Sequence, residues 1–132
     1  MSEYVYFLRA VSGEGAIKIG SSSDVESRLR LYMMWANVPL DVILTIPGGI
    51  ELERNIQNCF ADCHSHCEWF HPEARLLAAI DAMKAGVPVN EAIDLTDIRG
   101  NVLGLTAKAT RIRNGNPTSA EARRINSERT TA

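Results

Sequence analysis

The sequence predicts an α+β fold, with a small three-stranded antiparallel sheet flanked by helices and a basic C-terminal extension. Three observations support this prediction: strand patterns joined by a glycine-containing turn, amphipathic helix patterns separated by proline and glycine, and a change of charge after residue 96. A chain of 132 residues is long enough for one ordinary domain. We expect residues 1–86 to form this domain, and residues 87–132 to form a linker and the extension.

Three segments have the composition of β-strands. Aromatic and β-branched residues fill YVYFLRAV, residues 4–11, and the second pattern, AIKIG, follows the turn SGEG at residues 16–20. LDVILTI, residues 40–46, is the third pattern. With the helix patterns between and after these strands, the domain is predicted to have the order ββαβαα.

Three helix patterns complete the domain. Ser23 and Glu26 have the spacing of a capping box, which predicts a first helix that runs to about Ala36. The turn PGG predicts a second helix from about Ile50 to Cys63. HPE then starts a third helix, with its proline in the tolerated first turn, and GVP ends that helix.

Composition and charge narrow the classes of function. Hydrophobic content of 45% and charged content of 23% are typical of soluble proteins. No apolar run approaches the roughly 18 residues of a membrane-spanning helix, and the N-terminus lacks a secretory leader, so we expect a cytoplasmic protein without a membrane partner. Residues 1–96 carry a net charge of −6 and residues 97–132 a net charge of +4. The extension therefore either binds an anionic partner such as nucleic acid or is a solvated tail.

The predicted hairpin brings a phenol and an amine together. Tyr6 and Lys18 have the same parity in a hairpin whose short loop is centred near Ser12 or Gly13, so their side chains are expected on one face. Gly20 follows at a point where the chain can bend sharply. The alternative interpretation is a core tyrosine beside a lysine that faces solvent.

Two further charged residues lie at the edges of apolar helix stripes. Arg28 shares a side of the first helix with Val25 and Tyr32, and a guanidinium group at the margin of the sheet is suited to phosphate. Glu53 borders the apolar stripe of the second helix, where a carboxylate needs a partner or a metal such as Mg²⁺. The alternatives are a surface arginine and a glutamate favoured by the helix dipole.

Together these motifs resemble the GIY-YIG nuclease superfamily. YVY at residues 4–6 and KIG at residues 18–20 stand where the two motifs that name the family would be. GSSSDVESRLR is similar to the stretch that leads to the family's helix arginine, and IPGGIELERNIQNCF to the part that supplies its glutamate. HCEWFHP resembles the ending of the phage-type branch, with Cys67 in place of glycine. The resemblance covers about residues 3–83.

The resemblance implies hydrolysis of DNA phosphodiesters with one divalent metal ion, Mg²⁺ or Mn²⁺. Tyr6 would act as the general base or position it, Arg28 would stabilise the phosphoryl group, and Glu53 would hold the metal. Lys18, at the place of the second-motif tyrosine, would hydrogen-bond to water or to a phosphate oxygen. A phenol with a pKa of about 10 is a poor base, so we expect Lys18, Arg28 and the metal to lower the pKa of Tyr6. The supporting residues are Tyr4, Gly20 and Tyr32.

Two other functions are open from the sequence. The first is a catalytically weak or inactive relative that binds nucleic acid as a regulatory module. The second is a zinc-stabilised protein, because cysteine and histidine are dense in one segment. The residues concerned are Cys59, Cys63, Cys67, His64, His66 and His71. The cysteines continue the apolar stripe of the second helix, however, which favours buried thiols over a zinc site or a disulfide.

The C-terminal extension carries basic residues that could contact the phosphate backbone of DNA without reading its sequence. These residues are Lys108, Arg111, Arg113, Arg123 and Arg124. The alternative interpretation is a disordered or loosely helical extension.

Overall fold

A computed structural model describes residues 2–102 of the chain. The five basic residues that we expect to contact DNA lie outside these described residues, as does most of the predicted extension. No helix within the described range is long and apolar enough to cross a membrane.

Five antiparallel strands form one sheet in the spatial order β3-β1-β2-β5-β4. The strands are β1 Tyr4–Ala10, β2 Ile17–Ser22, β3 Leu40–Pro47, β4 His64–His66 and β5 Trp69–Phe70. The α+β class and the antiparallel sheet are confirmed, but the prediction of three strands is wrong. The two additional strands have three and two residues, too few to show an alternating pattern. They form because β5 pairs with the open edge of β2, where Lys18 lies opposite Trp69.

Within residues 2–102, four α-helices accompany the sheet. They are α1 Val25–Ala36, α2 Ile50–Cys59, α3 Ala74–Lys84 and the short α4 Val89–Ala92. Helix α1 ends where predicted, but the capping box of Ser23 and Glu26 is wrong. Asp24 caps the helix instead, because its carboxylate accepts from both the backbone N–H of Ser27, at 3.2 Å, and the Ser27 hydroxyl. Helix α2 is shorter than predicted, since a 3-10 turn at Ala61–Cys63 follows it.

The strand register divides the sheet into two faces. Tyr6 lies opposite Gly20 and Leu8 opposite Lys18, which confirms that Tyr6 and Lys18 share a face. Helix α1 lies over this face, because Tyr32 of α1 contacts both residues. The opposite face carries fully buried apolar residues that pack with α2 and α3 to form the core. On β1 and β2 these residues are Val5, Phe7, Ile17 and Ile19.

The chain that follows α3 also packs on the core. Ile93 and Val102 are 4% and 0% exposed and belong to the core cluster. The Asn58 side chain of α2 accepts a hydrogen bond from the Val102 N–H at 3.0 Å, and the Asn58 carbonyl accepts one from the Arg99 N–H at 2.9 Å. The stretch up to Val102 is therefore attached to α2.

Candidate active site

Tyr6 is buried against the backbone of β2 at Gly20. A Cβ atom on Gly20 would lie 2.4 Å from the Tyr6 hydroxyl oxygen and 2.5 Å from its Cζ, much closer than van der Waals contact allows. Gly20 lies inside the strand, so the expectation of a sharp bend there is wrong. The missing side chain of Gly20 instead makes room for the phenol ring.

Tyr32 connects Tyr6 to Lys18. The Tyr6 hydroxyl donates a hydrogen bond to the Tyr32 hydroxyl at 3.4 Å, and the Lys18 Nζ lies 4.2 Å from the centre of the Tyr32 ring. The Trp69 ring centre is 5.6 Å from the same Nζ atom. Lys18 is therefore held between two aromatic faces, each of which attracts a cation through its π-electrons. Tyr32, for which the resemblance implies a supporting role, thus contacts both Tyr6 and Lys18.

Glu68 also contacts Lys18, although no pattern in the sequence indicates a role for it. Its carboxylate forms an ion pair of 3.0 Å with the Lys18 Nζ, and its carbonyl accepts from the Ile19 N–H at 3.0 Å. Lys18 is only 5% exposed, so the interpretation of Lys18 as a solvent-facing lysine is wrong. The only signal for Glu68 was its place in EWF, since no local pattern reveals which strand β5 pairs with.

Glu53 occupies the first turn of α2 and is 7% exposed. Burial raises the pKa of its carboxyl to about 7, and the charge of Glu68 adds to this effect. A hydrogen bond from the Ser21 hydroxyl, followed by the charges of Arg54 and Lys18, acts in the opposite direction. Ser21 is a second residue that the sequence analysis missed. Glu53 is thus near Lys18 and Glu68, although α2 lies on the other side of the sheet.

Arg28 lies on the exposed surface of α1, near enough for its charge to lower the pKa of Tyr6. The net pKa of Tyr6 is nevertheless raised above its ordinary value, first by burial and then by the hydrogen bond to Tyr32 and the charge of Glu68. The expectation of a lowered pKa is therefore wrong for this structure, because desolvation outweighs the nearby cation. Tyr4 lies on the same sheet face as Tyr6 but is 39% exposed.

The residues around Glu53 fit a hard divalent cation. A buried carboxylate that accepts from a hydroxyl and is repelled by a second carboxylate offers oxygen ligands at a place where positive charge is stabilising. Within residues 2–102, no group of three or more His, Cys, Asp or Glu residues is placed to hold a metal ion. Mg²⁺ is commonly bound in proteins through one or two carboxylates, and Glu53 offers one.

The segment that is rich in cysteine and histidine contributes to the core and to the turn between β4 and β5. Cys59 and Cys63 are 1% and 0% exposed in the core, and burial raises the pKa of both thiols. The expectation that Cys67 continues the apolar stripe of α2 is wrong, because Cys67 lies in the turn between β4 and β5. Its φ of 50° is in the left-handed region, at the position where the resembled motif has glycine. The Cys67 carbonyl lies 2.7 Å from the His64 Nε2, which links the ends of this turn.

One comparison with known proteins identifies a family. The model of the T5orf172 domain matches residues 3–85, well over half of the chain. The matched segment runs from β1 to the end of α3 and contains every residue of the candidate site. Comparisons with curated proteins and with solved structures gave no match.

Proposed function

We propose that this chain, which belongs to the T5orf172 domain family, is a divalent-metal-dependent DNA endonuclease of the GIY-YIG type. The family is phage-associated and often linked to nuclease-like activity. The observation that carries the proposal is that Tyr6, Lys18 and Glu53, from three separate elements, all lie within reach of Glu68: it pairs with Lys18, and its charge raises the pKa of the other two. The charge of Arg28 also reaches Tyr6. Tyr6, Lys18, Arg28 and Glu53 are the four residues for which the resemblance implies a catalytic role.

Tyr6 would orient the attacking water. Its raised pKa keeps the phenol protonated at neutral pH, and its proton is donated to Tyr32, so a lone pair of the hydroxyl oxygen can accept from water. Proton transfer to Tyr6 would require its phenolate form, which the positive charge of Arg28 favours. Tyr6 therefore positions the water first and acts as a base only when further positive charge is near.

Arg28 and Lys18 would have different roles: Arg28 would bind the phosphate, and Lys18 would place a positive charge beside the attacking water. The guanidinium group of Arg28 is exposed and can offer two parallel donors to phosphate oxygens. The ammonium group of Lys18 is buried and anchored by Glu68, so it presents a fixed positive charge beside the water. A divalent ion held by Glu53 would neutralise charge on the phosphate oxygens as the bond breaks. Such preorganised charge is effective at Lys18 and Glu53, because both are buried and little solvent screens them.

The test is nicking of supercoiled plasmid in Mg²⁺ or Mn²⁺, with EDTA as the metal-free reference. We expect Glu53→Ala and Tyr6→Phe to lose at least about 100-fold in rate, the range in which removal of an acid–base or charge-stabilising group falls. Glu51→Ala is the matched control, because Glu51 lies in the same turn of α2 but is exposed. Nicking that survives Glu53→Ala, or that Glu51→Ala reduces equally, would contradict the proposed site.

A second candidate function is a DNA-binding module that does not cleave. Two observations favour it: the raised pKa of Tyr6 and the ion pair that occupies Lys18 with Glu68. In that case the wild-type protein would bind DNA with an affinity that falls as salt rises, and it would cut with neither metal. The plasmid assay, combined with a binding measurement, distinguishes the two functions.

A further inference from the structure

Helix α1 exposes large apolar side chains near its C-terminal end. Met34 and Trp35 are each 80% exposed, and Leu31 is 41% exposed. No residue of α1 is buried. An exposed tryptophan next to other exposed apolar residues is a common mark of a binding surface, because it leaves a large aromatic area in contact with water.

Trp35 lies on the flank of α1 that borders the candidate site. Arg28, Tyr32 and Trp35 are spaced i, i+4 and i+7, which places them along one side of a helix. The contacts of Tyr32 with Tyr6 and Lys18 show that this side borders the site. Trp35 therefore follows Arg28 by about 10 Å along the helix axis. Leu31, one turn before Trp35, lies on the same flank.

The charges along this flank suit a nucleic acid. Within α1, Arg28 is the charged residue of this flank, whereas Glu26 of the first turn lies on the opposite side of the helix. Asp24, which precedes Arg28 by four residues, has its carboxylate engaged by the backbone N–H and the hydroxyl of Ser27. A DNA strand whose phosphate lies at Arg28 would pass its next bases over Leu31 and Trp35. An indole ring can stack on the face of a base, but in a continuous duplex the base faces are covered and only the edges are open.

We infer that Trp35, flanked by Leu31, stacks on an unpaired base beside the phosphate that Arg28 binds. The substrate class is then DNA with a locally unpaired strand, such as a bubble or a branch point, rather than a continuous duplex. This inference rests on the proposed function, because DNA bound at Arg28 defines where the base lies. A second copy of this chain is the other possible occupant of the flank, and the test distinguishes it.

The experiment measures fluorescence anisotropy of two labelled DNAs in EDTA, so that no cleavage occurs. One DNA is fully paired and the other has the same sequence on one strand with a short central bubble. We expect wild-type protein to bind the bubble more tightly, and Trp35→Ala to reduce that preference by roughly 5- to 150-fold, the range expected for loss of one base–aromatic stack. Trp35→Phe should keep most of the preference, because phenylalanine retains an aromatic face.

Met34→Ala is the matched control. Met34 is exposed to the same extent as Trp35 but points away from Arg28 by about 120° around the helix, so its replacement should leave both affinities unchanged. The inference is overturned if wild type shows no preference for the bubble, if Trp35→Ala weakens both DNAs equally, or if Met34→Ala has the same effect. It is also overturned if Trp35→Ala converts a dimer into a monomer in sedimentation while the DNA preference persists.

Failure of this inference and failure of the proposed function give different results. Metal-dependent nicking by wild type without any preference for unpaired DNA would remove the stacking role and leave the nuclease. A preference for the bubble that depends on Trp35, in a protein that cuts with neither metal, would remove cleavage and leave the stacking surface.

Discussion

Helices α1 and α2 lie on opposite faces of the same sheet but are held in different ways. Four residues of α2 are buried, among them Glu53, Ile56 and Gln57, whereas α1 has none. Gln57 also donates a hydrogen bond of 2.8 Å to the Ile19 carbonyl of β2. Each helix nevertheless carries one charged residue of the candidate site. The comparison shows that Glu53 is positioned by the core, while Arg28 is positioned by a helix attached mainly through partly buried side chains.

This difference suits the two proposed roles. A metal ligand must be held rigidly to keep its coordination geometry. The close packing of α2 meets this need, because it leaves little freedom for the turn that carries Glu53. A group that binds a large, variable ligand gains from exposure, since Arg28 can reach phosphate without displacing core residues. Substitutions in α2 should therefore act mainly on stability and metal binding, and substitutions in α1 mainly on DNA binding.

The largest expected effect concerns core packing. Ile56→Ala in α2 should lower the free energy of unfolding by about 2–5 kcal/mol, because Ile56 is 0% exposed and its removal leaves a cavity. Leu29→Ala in α1 is the comparison, and we expect a loss of about 1 kcal/mol because Leu29 is only partly buried. Urea unfolding measures both values. Equal losses would mean that α1 is packed as firmly as α2.

The next effect is a pH-dependent gain in the free energy of unfolding on substitution of Glu53→Gln. Because the folded pKa of Glu53 is raised from 4.5 to about 7, its stability contribution is present below the unfolded pKa and is lost as pH rises to about 7. Replacing the carboxyl should therefore stabilise the metal-free protein by about 1–3 kcal/mol at about pH 8, and little at about pH 4. Thermal unfolding in EDTA measures this, with Glu51→Gln as control. A gain that is the same at both pH values would contradict the burial of a charged Glu53.

Gly20→Ala should disturb the packing on the sheet face that carries Tyr6. The new methyl group would overlap the phenol ring, so we expect a loss of about 1–3 kcal/mol in unfolding free energy, as is typical of overpacking. Cleavage should fall as well, because Tyr6 must move. Gly15→Ala is the control: its Cβ would have open space, and its effect should be confined to the strain of its positive φ. Full cleavage by Gly20→Ala would show that the position of Tyr6 is unimportant.

The smallest effect is expected for Tyr32→Phe. The ring under Lys18 is kept, and only the hydroxyl that accepts from Tyr6 at 3.4 Å is lost. We expect a change of about 0.5–1 kcal/mol in stability, with a larger effect on the pH profile of cleavage, because the pKa of Tyr6 is raised partly by this hydrogen bond. Removing the Tyr32 hydroxyl should therefore shift to lower pH the part of the profile in which cleavage rises as Tyr6 loses its proton. An unchanged profile would exclude Tyr6 as the titrating group.

Much of the fold could be predicted because its signals are local. The three longer strands follow from β-branched and aromatic runs, and the shared face of Tyr6 and Lys18 follows from parity in a short hairpin. The cap of α1 was misplaced by one residue, since Ser23 and Asp24 are both good capping residues and the choice depends on which hydrogen bonds form. Strands β4 and β5 were missed because their pairing, not their composition, makes them strands.

What the sequence by itself determined is the set of elements and the chemical groups on them: a phenol, two cations and a carboxylate at defined places on strands and helices. Only the tertiary structure decided how these groups behave. The Glu68 carboxylate reaches Lys18 through a strand pairing between distant segments, and burial raises the pKa values of Tyr6 and Glu53. The physical reason is that desolvation and ion pairing depend on which distant segments surround a group. Local periodicity along the chain does not specify those neighbours.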